Sequence, residues 1–177
     1  MQDTQWRCVH VRKRFEPVVA LYLEKQALET FVPFCRMPVR PRKSQPRIEV
    51  PLFPGYVFFK GDFVEPRTIQ AIPGVLGIVR SADAIGIVPT HEIKDLQRVV
   101  SSGIPCELWP HVPGRPVTVE DGPLRGITGA LASPTGKRRL VLPISLLGRS
   151  VAVEIDDSWK LSEAPPPKTK SAALLVS

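Results

Sequence analysis

Few residues in this chain are spaced for covalent chemistry. The segment GALASPTGKRR (129–139) has the glycines and lysine of a phosphate-cradling loop. Six residues rather than four separate Gly129 from Gly136, however, and Arg138 stands where Ser or Thr would be needed. His10, His91 and His111 lie at no metal-ligand spacing, and Cys8, Cys35 and Cys106 form no CxxC pair. GxSxG and HExxH are both missing from the sequence. This pattern argues against an enzyme and against a bound metal or other cofactor. What the residues do suggest is binding. Arg12, Lys13 and Arg14 are consecutive cations of the kind that neutralise phosphates without reading sequence. Phe53, Tyr56 and Phe58 flank Pro54-Gly55, and rigid aromatics of this sort anchor partners by filling pockets. Each feature has a plainer alternative, since charge runs are usually solvated and most strand aromatics are core.

The elements that would position these groups can be read from periodicity. WRCVHV (6–11) alternates as a strand, with Trp6, Cys8 and His10 on one face and Arg7, Val9 and Val11 on the other. Pro17 suits the first turn of a helix that continues to about residue 28, with Val19, Leu23 and Ala27 at near-helical spacing. FVPFCRMPV (31–39) reads as an irregular or edge strand because prolines interrupt it. The basic, proline-rich RPRKSQPR (40–47) reads as an exposed hairpin loop. IEVPLFPGYVFFK (48–60) resumes the strand pattern around a turn at Pro54-Gly55. Tyr56 and Phe58 then face one way, and Val57 and Phe59 the other. A short helix is predicted over 65–71, strands at PGVLGIVR (73–80) and IGIVP (85–89), and a last helix to about Val100 with Thr90 as its N-cap.

From 101 to 116 the composition shifts to Gly, Pro and isolated aromatics, as in a linker. Short β-rich runs broken by glycines follow, which predicts a small barrel. After Trp159, SEAPPPKTKSAALLVS reads as a disordered tail. The net charge of +7 favours a polyanionic partner. No run approaches the roughly 20 apolar residues of a membrane span, and the N-terminus lacks the apolar core of a secretory signal. A monomer in the cytoplasm, with reduced thiols and no membrane contact, is the expectation.

Two stretches carry a family resemblance. PLFPGYVFF (51–59) with PGVLGIVR (73–80) resembles the N-terminal domain of the NusG family. VTVEDGPLRGITGAL (117–131) with SLLGRSVAVEID (145–156) resembles its KOW module. The resemblance spans roughly residues 5–160. It implies an α+β chain: an N-terminal α/β sandwich with an antiparallel sheet (1–104), a flexible linker (105–115), an SH3-like KOW β-barrel (116–160) and a disordered tail (161–177). It implies a transcription elongation factor that modulates pausing, termination and antitermination.

In such a factor, Phe53, Pro54, Tyr56 and Phe58, with His10, would form the apolar surface that grips the clamp helices of the largest RNA polymerase subunit. Arg67 and Thr68 would make a second contact across the cleft. Arg12, Lys13 and Arg14, with Arg80, would meet non-template or upstream DNA, and Arg40, Arg42, Lys43 and Arg47 would add upstream contacts. In the KOW module, Leu147, Gly148 and Arg149 match the loop that contacts ribosomal protein S10 or Rho. There Leu147 stands where the family often exposes a Phe. This difference and the VRK turn (11–13) lean towards a specialised, RfaH-like paralogue. Some such paralogues refold the module into helices, whereas PVTVE and VAVEI favour strands here. The alternative is a KOW-containing RNA- or ribosome-binding protein without polymerase affinity.

Overall fold

A computed structural model of the chain describes residues 4–36, 49–61, 65–110, 114–133, 136–165 and 174–175. Its first strand, β1 (Trp6–Val11), lies inside a four-stranded antiparallel sheet. β1 pairs with β5 (Tyr56–Lys60) on one side and β6 (Val75–Ile78) on the other, and β2 (Glu29–Phe31) adds beyond β5. Successive side chains of a strand point to opposite faces, and here each face has its own cover. Val9, Val11, Val57 and Phe59 pack with Val19, Ala20 and Leu23 of α1 (Glu16–Glu24) and with Ile69 of α2 (Pro66–Gln70). Trp6, Cys8, Tyr56 and Phe58 are buried on the other face, in a separate cluster. The alternation read from the sequence therefore separates the two faces correctly. Pro17 sits in the first turn of α1, where its missing N–H leaves no helical bond unmade.

Around this sheet lie a hairpin of β3 (Phe34–Arg36) and β4 (Glu49–Pro51), and a small ladder of β7 (Arg80–Ser81), β8 (Ala84–Ile85) and β15 (Leu174–Leu175). α3 (Thr90–Ser102) turns Ile93, Leu96 and Val99 inward and ends at Gly103, whose φ of 69° suits a left-handed C-cap. Thr90 is not its N-cap. Pro89 occupies that position, no side chain caps the helix, and Thr90 is the first helical residue.

The C-terminal half is strand, as its β-rich runs predict. It contains β9 (Cys106–Trp109), β10 (Arg115–Val119), β11 (Thr128–Ala132), β12 (Arg139–Ile144), β13 (Arg149–Glu154) and β14 (Leu161–Glu163). They run antiparallel in the order β14-β10-β11-β12-β13-β9. Among the described residues no pairing joins β14 to β9.

Two segments differ from their compositional reading. Residues 106–109, expected to be linker, are a strand because the outer edge of β13 receives them, from Val153 opposite Cys106 to Ser150 opposite Trp109. Residues 161–163, expected to begin the tail, pair with Val117, Thr118 and Val119. Arg40, Arg42, Lys43, Arg47 and His111 lie outside the described residues, as does most of the expected tail. No helix among the described residues is long and apolar enough to cross a membrane.

Candidate protein-docking surface

The aromatic turn is held from beneath by a carboxylate. Gly55 adopts φ 87° and donates its N–H to Glu16 Oε1 at 2.7 Å. A Cβ there would lie 3.2 Å from the Val11 carbonyl oxygen, so conformation and space both favour glycine. Glu16 is almost fully buried, and its Oε2 has no hydrogen-bond partner among the described residues. Over this base Phe53 meets Phe58 edge-on, with centroids 5.9 Å apart, and His10 stacks on Tyr56 at 5.1 Å. Pro54 is exposed and His10 half-buried. The residues named from the sequence as one apolar surface are thus brought together in space.

That surface is covered. A 3-10 turn at Ser145–Leu147 leads through Gly148 (φ 56°) into Arg149, and the Arg149 guanidinium lies 5.6 Å from the centre of the Tyr56 ring. Leu147, expected to be exposed, is 2% exposed. Leu146 and Leu147 belong to the same buried cluster as Phe53, Tyr56 and Phe58, with Leu124, Ile127 and Ile144. Gly86 lets this loop approach, since a Cβ at 86 would stand 2.2 Å from Leu146 Cδ1 and 3.1 Å from the Val79 oxygen. The two sites that the sequence placed on separate halves therefore face each other across one seam.

Polar contacts fasten the seam. Glu92, in the first turn of α3, accepts the Ser145 backbone N–H at 2.9 Å and also bonds the Ser145 hydroxyl. Burial raises the Glu92 carboxyl above its ordinary pKa, and the two bonds from Ser145 oppose that rise. Asp95, one turn on, is raised by burial as well. Arg98 donates to the carbonyl oxygens of Pro123 (3.2 Å) and Arg125 (2.6 Å). Beside the seam β9 is paired to β13, and Arg139 of β12 pairs with Glu107 and lies 4.6 Å over the Trp109 ring. Glu16, Gly86, Glu92 and Arg98 all escape the sequence reading. Their partners are 25 or more residues away, so no local pattern marks them.

The remaining site residues lie outside the seam. Arg12, Lys13 and Arg14 are exposed in the turn after β1, and Arg14 adopts φ 72°. Arg80 is exposed and donates to the Asp83 carbonyl. Arg67 and Thr68 are exposed on α2, beside the buried Ile69.

The site is thus an aromatic turn covered by an apolar loop from elsewhere in the chain, an arrangement of binding groups. The family model described as "Transcription termination factor nusG" matches residues 4–97, more than half of the chain, and the protein belongs to the NusG family. It is 31% identical over 118 residues to the transcription termination/antitermination protein NusG of Buchnera aphidicola subsp. Baizongia pistaciae (strain Bp). That match covers 62% of this chain and 64% of the relative, so it spans a little under two thirds of the relative's length. Its fold is similar to the solved structure described as "Domain interaction in Thermotoga maritima NusG". There the TM-score is 0.56 at 18% identity, over 92% of this chain and 98% of that one.

Proposed function

We propose that this chain is a cytoplasmic transcription elongation factor that binds RNA polymerase and modulates pausing, termination and antitermination. Phe53, Pro54, Tyr56 and Phe58, with His10, grip the clamp helices of the largest subunit. Arg67 and Thr68 reach across the cleft. Arg12, Lys13, Arg14 and Arg80 meet non-template or upstream DNA, a sequence-independent electrostatic contact. Residues 1–104 make up the polymerase-binding unit. Residues 116–160 form the KOW barrel, whose Leu147, Gly148 and Arg149 take a second partner, ribosomal protein S10 or Rho.

The observation that carries this reading is the seam between Tyr56 and Arg149. On this reading the two docking sites cover each other, and the described conformation is taken as the closed form of a two-state protein. Polymerase binding then requires opening. A receptor competent in only about one molecule in a hundred binds about a hundredfold more weakly than its open form. Opening frees both sites at once, so polymerase binding and KOW-partner binding are linked. A factor that prefers the closed clamp shifts polymerase towards it, and that suppresses pausing.

The test is capture on core polymerase followed by single-round transcription on pausing and Rho-dependent templates. Glu92→Ala should bind more tightly than wild type, and Tyr56→Ala in that background should lose the gain. Readthrough would mark an antiterminator, whereas enhanced Rho-dependent termination would mark the general role. No capture of polymerase by either the wild type or the Glu92→Ala protein would sink the proposal.

A further inference from the structure

Docking uses none of the three cysteines, yet two of them meet where the halves join. Cys35, in the middle of β3, and Cys106, the first residue of β9, are both buried in the cluster that spans the seam. β3 and β9 are in contact there, so the two thiols influence each other's ionisation, while Cys8 is fully buried on β1 with its thiol directed to a backbone carbonyl. Cys35 also lines a cavity of about 560 Å³ whose wall includes Lys13, Arg14, Pro54 and Leu108. A small oxidant could reach Cys35 through that cavity.

We propose that Cys35 and Cys106 form a reversible disulfide that locks the chain closed. The ionisation balance between the two thiols sets the order of attack. Interaction with Cys106 holds the Cys35 thiol below the ordinary cysteine pKa. The same interaction, together with burial, pushes Cys106 up. Cys35 is therefore the attacking thiolate and Cys106 the resolving thiol. The Cys35 thiolate takes one oxygen from hydrogen peroxide, forming a sulfenic acid and releasing hydroxide. The Cys106 sulfur then attacks the sulfenic sulfur, the S–S bond forms, and the second oxygen leaves as hydroxide. The two thiol protons complete two waters. Two sulfurs have each lost one electron, and the peroxide has gained both.

The lock follows from where β9 lies. In the reduced chain β9 can leave with β13, to which it is paired along Cys106, Glu107, Leu108 and Trp109. Once Cys106 is bonded to β3, β9 must stay on the N-terminal half, and opening has to strip its ladder from β13. The bond also shortens the free tether, which raises the effective concentration of one half at the other. This inference rests on the proposed closed and open forms, but the disulfide itself does not depend on polymerase binding.

The experiment treats the full chain with hydrogen peroxide, maps thiols under non-reducing, denaturing conditions, and follows amide hydrogen exchange at Ser145 and along β13. The expected product is an intramolecular Cys35–Cys106 bond with Cys8 left titratable. In Cys106→Ser a sulfenic acid should be trapped at Cys35. Exchange at the seam should slow roughly tenfold or more on oxidation and recover with a dithiol reductant, a reversal that needs no variant. Over-oxidation of Cys35 without a bond, or a first bond involving Cys8 or a second chain, overturns the site. A correct bond that leaves exchange unchanged overturns the lock. Normal redox behaviour without polymerase capture in either state would instead overturn the functional reading and leave the lock standing.

Discussion

The two faces of the N-terminal sheet are covered in different ways. Val9, Val11, Val57 and Phe59 lie under α1 and α2, short helices close in sequence to the strands they cover. Trp6, Cys8, Tyr56 and Phe58 lie in a cluster completed by residues from the C-terminal half. Directional contacts, Glu92 to Ser145, Arg98 to two carbonyls and Arg149 over Tyr56, fix that second cover. Apolar burial is non-directional and builds a permanent core. A cover held in register by a few polar contacts can come off as a unit and return to the same place. The proposed docking surface rests on this contrast, because by exposure Tyr56 and Phe58 are simply core.

Mutations can separate the two faces. The largest effect is expected at the permanent one. Leu23 is fully buried under the sheet, and Leu23→Ala should cost about 2–5 kcal/mol of global stability, seen as a lower urea midpoint. A loss confined to the seam would break the comparison. Next comes Gly86→Ala, whose methyl would meet Leu146 and the Val79 carbonyl. Overpacking of this kind costs about 1–3 kcal/mol. It should fall mainly on closure, where the contact with Leu146 is tightest, so seam amides exchange faster while the urea midpoint of the N-terminal sheet drops less.

Glu92→Ala leaves the Ser145 amide without its acceptor while the seam is closed, and should weaken closure by about 1–3 kcal/mol. The pH dependence sharpens this prediction. Burial raises the Glu92 carboxyl in the closed form above its ordinary 4.5, so the closed form binds the proton more readily than the open form does. Closure is then strongest below the ordinary value and is lost progressively as pH rises through the raised one. Asp95, also raised by burial, acts in the same direction. Open and closed populations read from amide shifts should follow this trend, and Glu92→Gln should flatten most of it. The smallest effect on closure belongs to Arg12→Ala with Lys13→Ala, both exposed. Exchange at the seam should not change, whereas the salt dependence of crosslinking to non-template DNA should fall by a slope of about one for each phosphate no longer neutralised. An unchanged slope would remove DNA from the proposal.

Local order is legible in the sequence wherever its cause is local. The alternation of β1 assigns Val9 and Val11 to one cluster and Trp6 and Cys8 to the other. Pro17 and Pro54-Gly55 mark a helix start and a turn. Cys106–Trp109 reads as linker for a physical reason. Flanked by Pro105 and Pro110, it has little strand signal of its own and becomes a strand because β13 offers it an edge. Leu161–Glu163 owes its strand to β10 in the same way. The components of the site are visible separately, Tyr56 as an aromatic and Arg149 as a loop cation. Their meeting depends on contacts such as Glu92 with Ser145, 53 residues apart, which no periodicity encodes.

When the seam opens with β9 left behind, two strand edges lose their partners together, the outer edge of β13 and the facing edge of β9. Unpaired edges invite other chains, and β9 of one molecule fits β13 of a second as well as it fits its own. Reciprocal exchange of that strand would build a closed, two-fold dimer at little enthalpic cost. The share of protein held in such pairs would then depend on how crowded it is and on how long each molecule stays open.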